Sequence, residues 1–317
     1  MSGPRVSVVV PSRDRPVSLA ILLAALREQT IGAGAFEVIV VDDGSAASAT
    51  QHVVAEESNR GELRLSALRN DRALGQARAR NQGWRLAAAP AVAFTDDDCV
   101  PDPGWLEALL AASADAADAI VQGRTEPDPL SARGRGTFSR TVTVETLGPQ
   151  YQTCNILYPR ALLERLGGFD ERVGLPVAGE DTELAWRALD AGAEAVFAAD
   201  ATVFHAVHEL GFAGALRDAA RWSEAARIFA LHPRAREMLS RGVFWNGWHY
   251  CLIRSAVALA LPRPVRRALL THHALQLSAR ARAAGAGPWV APLMLVYDAV
   301  ETAAMVRGSI RYRTLVL

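Results

Sequence analysis

The stretch "AFTDDDCVPDPGWL" sets three carboxylates, Asp96, Asp97 and Asp98, side by side at the end of an apolar run. Like charges this close repel, so the cluster calls for a cation or a capping geometry to compensate. Hard divalent cations such as Mg²⁺ or Mn²⁺ take oxygen ligands and leave room in the same shell for water or phosphate. On an extended chain alternate residues share a side, so Asp96 and Asp98 are expected to act together while Asp97 points away. The plainer alternative is that one of the three caps the helix expected to begin near Pro103.

A second acidic group lies in "GEDTELAWRALDAG". Leu184, Ala188 and Leu189 form an apolar helical face, and Gly192 is a natural stop. Glu180 and Asp181 therefore fall at a helix N-terminus, where the dipole favours carboxylates and an ionised side chain is expected at neutral pH. Acids at helix starts are commonly structural, and for an isolated helix that reading would win. In "ATVFHAVH", two histidines three apart follow an expected strand. Histidine often completes a metal shell, and His205 is preferred to His208 for that position; an ordinary hydrogen-bonded histidine is the alternative.

The elements that must position these groups follow from periodicity. "VSVVVP" is a buried strand, followed by Leu19, Leu22, Leu23 and Leu26 at i, i+3, i+4, i+7 helical spacing. "FEVIVVDDGS", "ELRLSAL" and "AVAFTD" read as further strands, with helices expected over 75–88 and 103–113. Strands alternating with helices predict a largely parallel α/β sheet covered on both faces. Ligands bind such sheets at the carboxyl ends of the strands. Ser12-Arg13-Asp14, Asp42-Asp43 and Asp96-Asp97-Asp98 all end strands, so a parallel arrangement gathers them at one edge. Residues 123–150 show no firm period and read as a mobile loop or surface connection. Past about Gly211 the chain reads as helical.

Of the 317 residues, 50% are hydrophobic and 21% charged, enough for a substantial core. Lys plus Arg equals Asp plus Glu at 34 each, so no basic field points to nucleic acid. Three scattered cysteines without C-x-x-C spacing suit a reducing compartment. No secretory signal is read at the N-terminus. No stretch of about 20 residues is cleanly apolar; "VFWNGWHYCLIRSAVALALP" comes nearest.

The order of blocks resembles the inverting glycosyltransferases of family 2, which have the nucleotide-sugar GT-A fold. The blocks are "VSVVVPSRDRP", "VIVVDDGS", "LGQARARNQG", the Asp-x-Asp strand end with "GWLEALL", "CNILYPRALLERLGGFDE" and "GEDTELAWR", covering residues 5 to about 208. The resemblance implies a GT-A catalytic domain over 1–210, with a nucleotide-binding half to about 122 and an acceptor half from 123, and a helical extension over 211–317. It implies that Mg²⁺ or Mn²⁺, held by Asp96, Asp98 and His205, carries the diphosphate of a sugar nucleotide. Pro11, Ser12 and Arg13 would line the nucleoside, and Asp43 would hydrogen-bond the base. Gly75 and Arg80 would approach ribose and phosphate, with Asp96 and Asp97 also contacting the donor. Asp181 would be the general base, Glu180 would help position the acceptor, and Asn155 would be a polar acceptor contact.

The implied donor is a UDP-sugar first, with dTDP- and GDP-sugars open, and the acceptor a glycan, a lipid-linked molecule or a small molecule. The expected location is the cytoplasm. For the C-terminal helices, packing on the catalytic domain, a homodimer contact and the cytoplasmic membrane face are the options, in that order. A sugar-nucleotide nucleotidyltransferase would need a glycine-rich loop after the first strand, which "VVVPSRDRP" lacks. A dinucleotide-binding dehydrogenase would need G-x-G-x-x-G after a strand. A non-catalytic sugar-nucleotide scaffold would have no reason to keep both the metal acids and a base.

Overall fold

The computed structural model describes residues 3–114, 118–172 and 179–317. The strands are β1 (Val6–Ser12), β2 (Phe36–Asp42), β3 (Leu65–Arg69), β4 (Ala91–Phe94) and β5 (Cys99–Pro101), then β6 (Ile120–Pro127), β7 (Ser139–Arg140), β8 (Ile156–Pro159), β9 (Ala195–His205) and β10 (His208–Glu209). The helices are α1 (Pro16–Arg27), α2 (Ala49–Arg60), α3 (Gln76–Leu86), α4 (Trp105–Ala114), α5 (Arg160–Leu166) and α6 (Glu180–Asp190). After them come α7 (Gly211–Arg221), α8 (Ala226–Leu231), α9 (Gly247–Ala258), α10 (Arg263–Ala283) and α11 (Ala291–Tyr312). The chain forms two compact units, Met1–Ala132 with Thr141–Ala206, and Arg133–Arg140 with Val207–Leu317.

The first unit is built on an eight-stranded sheet in the order β3-β2-β1-β4-β8-β6-β9-β5. β1 pairs in parallel with both β2 and β4, and β2 with β3. β8 runs antiparallel to β4 and β6, and β5 antiparallel to β9, so the sheet is mixed, though mostly parallel. Every residue of β1 and β2 is buried, as central strands covered on both faces require. The α1 stripe Leu19, Leu22, Leu23 and Leu26 is buried as its spacing predicts. Each such leucine contributes roughly 1.5–3 kcal/mol of transfer free energy.

One sequence expectation changes. Residues 120–127, of which 123–127 read as loop, form β6, paired with β9 in parallel and β8 antiparallel. Its period is hidden by a register shift between Gly123 and Arg124 and by the polar "GRTEP" composition. Residues 173–178, between the "CNILYPRALLERLGGFDE" and "GEDTELAWR" blocks, lie outside the described residues.

In the second unit β7 and β10 form an antiparallel pair, and most of the rest is helical. Residues 288–312 form a helical stretch long and apolar enough to span a membrane, with mean hydropathy 1.3, unlike the stretch the sequence favoured. Its polar side chains are nevertheless engaged within the unit. Arg280 donates to Asp298 at 2.8 Å, and Glu301 accepts from Asn246 at 3.0 Å and lies 2.9 Å from His249 Nε2. This is the pattern of a helix packed in protein.

Candidate active site

Parallel pairing of β2, β1 and β4 brings their carboxyl ends together. Register sets Ser12 opposite Asp42 but Phe94 opposite Val9, so residues 95–98 continue alongside the end of β1. Ser12 Oγ accordingly donates to Asp97 Oδ2 at 2.8 Å. The three acids do not alternate as on a strand, because β4 ends at Phe94 and the chain turns through Asp97 and Asp98. Arg15 Nη1 spans Asp97 Oδ1 at 3.2 Å and Asp98 Oδ2 at 2.7 Å. Asp97 is thus tied to Asp98 through Arg15 rather than pointing away from it, while Asp96 turns toward Arg80.

The electrostatics follow from burial. Burial pushes the Asp97 carboxyl up to about 6, with Arg15 opposing the shift and Asp98 adding to it. Burial likewise works against charge on Arg15, but Asp98 and Asp97 outweigh it and raise the guanidinium above the ordinary arginine value.

The register of β5 against β9 pairs Cys99 with His205. This brings His205 Nε2 to 3.7 Å from Asp98 Oδ1. His205 Nδ1 lies 2.8 Å from the Ala206 carbonyl oxygen, which can only accept, so Nδ1 carries the proton. The other ring nitrogen, Nε2, is the one that faces the Asp98 carboxylate. Asp98, Cys99 and His205 have ligand atoms within 4.8 Å of one another. Burial raises the Cys99 thiol well above its usual range and keeps it protonated. The hard oxygen of Asp98 fits Mn²⁺ or Mg²⁺, and the imidazole nitrogen of His205 suits the softer Mn²⁺ better than Mg²⁺; the thiol fits neither. His208 lies in β10, outside this cluster.

Arg80 is almost fully buried on α3. It donates to Asp96 Oδ1 at 2.8 Å and to Glu180 Oε1 at 3.1 Å, with its guanidinium carbon 5.8 Å from the Phe169 ring centroid. Burial opposes its charge, but Asp96 and Glu180 more than offset that and hold its proton above the ordinary range. The side chain expected to approach ribose and phosphate is therefore a bridge between two acids.

Glu180 and Asp181 open α6 after Gly179, as the helix-start signal predicts. The expectation of an ionised Asp181 at neutral pH needs correction. Burial and then the neighbouring Glu180 push its carboxyl up to about 7, against the Thr182 N–H bond and Arg80. Desolvation here outweighs the helix terminus.

At the end of β2 the two acids of "DDGS" divide the work. Asp42 accepts from Ser45 N at 2.9 Å, closing the turn, and from Arg69 Nη1 at 3.0 Å. Asp43 accepts from Leu74 N at 2.8 Å, Gly75 N at 2.9 Å and Asn70 Nδ2 at 3.0 Å. Much of its capacity is used in anchoring the loop before α3. Gly44 makes this approach possible: φ is +73°, and a Cβ would come within 2.3 Å of the Arg72 carbonyl carbon. Pro11 and Ser12 are buried, whereas Arg13 is exposed.

Asn155 is fully buried. Its Oδ1 accepts from Trp105 Nε1 at 2.7 Å, and its Nδ2 donates to the carbonyls of Arg124 at 2.7 Å and Ala201 at 2.8 Å. These bonds tie α4, β6 and β9 together and leave the amide facing protein. Gly123 supplies the room, since a Cβ there would lie 2.4 Å from the Asn155 amide.

Arg15 was not singled out from the sequence. The only signal was its place three residues past the end of β1, just before the proline that opens α1, and nothing in that spacing names Asp97 and Asp98 as its partners.

Among solved structures, the mannosyltransferase PcManGT from Pyrobaculum calidifontis, in complex with GDP-Man and Mn²⁺, aligns with TM-score 0.69 at 22% identity. The alignment covers 99% of this chain and 88% of that one. Staphylococcus aureus TarS in complex with UDP aligns with TM-score 0.55 at 20% identity, over 98% of this chain and 92% of that one. These likenesses establish the GT-A fold. In sequence, the pre-mycofactocin glycosyltransferase of Mycobacterium tuberculosis is 32% identical over 219 residues, which is 64% of this chain and 44% of the relative. This chain thus spans less than half the length of that relative. Glycosyltransferase AglE of Haloferax volcanii is 28% identical over 66% of this chain and 69% of its own length. Residues 7–165, half of the chain, match the profile described as Glycosyl transferase family 2, and with the fold in agreement the chain belongs to that family.

Proposed function

We propose that the protein transfers a sugar from a nucleotide-diphosphate sugar to an acceptor hydroxyl, with inversion, and that the transfer depends on a divalent metal. The observation that carries this reading is the Arg80 bridge. One buried guanidinium joins Asp96, on the side of the Asp98–His205 pair, to Glu180 at the start of α6, so both acidic motifs serve one site. A sugar-transfer site needs that proximity, with leaving diphosphate and attacking hydroxyl on opposite sides of one anomeric carbon.

Asp181 is the proposed base. A carboxyl raised to about 7 is matched to taking a proton from a hydroxyl near neutral pH. As the acceptor oxygen bonds to the anomeric carbon, its proton passes to Asp181, the bond to the diphosphate oxygen breaks, and the configuration inverts. Glu180, fixed by Arg80, is proposed to orient the acceptor. Asp43 and the Pro11–Arg13 segment are proposed to receive the nucleoside, with the backbone at Gly75 beside them. Mg²⁺ or Mn²⁺, when bound, would neutralise charge on the leaving diphosphate, and Asp98 and His205, with Asp96, are the residues proposed to hold it.

The relatives bound to GDP-Man with Mn²⁺ and to UDP name the two nucleotides to test first. The deciding experiment incubates the protein with UDP- and GDP-sugars and a panel of acceptors with Mn²⁺, and reads the anomeric configuration of any product. An inverted product that disappears in Asp181→Asn supports the mechanism. A retained product, or full turnover in that variant, refutes it.

A further inference from the structure

From Met238 to Tyr297 the chain holds seven arginines and not one aspartate or glutamate, in a protein whose total of basic residues equals its total of acidic ones. The centre of this segment is the turn from α9 into α10, "AVALALPRPVRR". The pair of helices is held from within by buried Cys251, Ala258 and Leu277 and by Ser255 Oγ, 2.8 Å from His273 Nδ1. Its tip is apolar and open: Val257 is 59% exposed, Leu259 62%, Leu261 37% and Val265 45%. Arg263 and Arg267 are exposed beside them, and Arg266 reaches the Leu259 carbonyl at 3.5 Å.

We infer that this tip docks on an anionic phospholipid surface, the leucines entering the interface while the arginines meet lipid phosphates. Exposed apolar side chains ringed by cations are the composition of interfacial anchors. Charge decides against a second copy of the chain as the occupant. Two tips face to face would set arginine against arginine, and the segment carries no acid to compensate. The inference does not rest on the sugar-transfer reading, since it uses no residue of that site.

The test is flotation of the full chain with vesicles of phosphatidylcholine, alone or mixed equally with phosphatidylglycerol. Binding is expected only to the mixed vesicles, and to weaken as salt is raised. Each arginine near such a surface is worth about fivefold in partitioning, so Arg263→Gln with Arg267→Gln should weaken binding about 25-fold. Leu259→Ser with Leu261→Ser should weaken it roughly tenfold. Both pairs lie on exposed positions, and both proteins should keep the wild-type melting temperature and the thermal shift given by UDP or GDP with Mn²⁺. No flotation, equal flotation on both vesicle types, or undiminished binding by both variants would overturn the inference. So would a dimer in analytical ultracentrifugation that the leucine pair abolishes without any vesicle binding; that result would assign the tip to a second copy.

Discussion

Arg80 and Glu180, a hundred residues apart, meet at 3.1 Å with both side chains buried. The same guanidinium holds Asp96, so the two acidic motifs are mechanically and electrostatically coupled. Removing one member of a buried charged group typically costs about 3–5 kcal/mol, because the remaining charges lose their partner. Arg80→Met should therefore lower unfolding stability by about that amount in urea titration, and abolish transfer even where the protein remains folded. A stable variant with normal turnover would show that the bridge is dispensable.

The raised Asp181 carboxyl makes a prediction about rate. As the proposed base it must be unprotonated, so kcat/KM should rise with pH and reach half its plateau near 7, falling about tenfold per unit well below that. Asp181→Asn should lose about 10²–10⁴ in turnover and with it the acid limb. A wild-type profile flat from pH 5 to 8 would remove Asp181 from the role.

The same group makes a prediction about stability, with a definite sign. An unfolded aspartate titrates near 3.9, so between about 4 and 7 the folded chain binds more protons than the unfolded one. The contribution of Asp181 to stability therefore falls as pH rises through that window. Asp181→Asn should gain on wild type between pH 5 and pH 8 in thermal melts. A loss over the same range would contradict the burial assigned to this carboxyl.

Asp98 and His205, 3.7 Å apart, should make nucleotide binding metal-dependent. Mn²⁺ should enlarge the thermal shift given by UDP or GDP, and EDTA, Asp98→Ala or His205→Ala should each remove that increment. Arg15→Gln should cost about 1 kcal/mol without metal, since a half-exposed charged hydrogen bond is lost, and Mn²⁺ should restore much of it. An unchanged nucleotide shift in Asp98→Ala would place the metal elsewhere.

Asn155→Ala separates structure from substrate contact. It would leave the Trp105 N–H and two carbonyls without their partner, each worth about 1–3 kcal/mol when buried. Calorimetry should show a clear loss of stability, while the acceptor KM of the folded fraction stays near wild type. A raised acceptor KM with full stability would return Asn155 to the acceptor side.

The sequence by itself determined most elements of the nucleotide-side half of the sheet and the edge on which the strand-end acids gather. The β-branched runs of β1 and β2, the leucine stripe of α1 and the acids after β4 are local signals, because side-chain period and strand ends are properties of short stretches. It did not reveal β6 past Gly123, where a register shift breaks the period and partner strands supply the pairing. It also left the partners of each acid undecided. Spacing set Asp96 with Asp98, whereas the turn after Phe94 gave Asp96 to Arg80 and joined Asp97 and Asp98 through Arg15. The register of β5 on β9 brought His205, not His208, to Asp98. Burial beside Glu180, invisible in "GEDTELAWR", moved Asp181 to about 7 against the pull of its helix terminus. Which side chains share a site, and how strongly each holds its proton, depend on distance and desolvation, and only the packed chain fixes those.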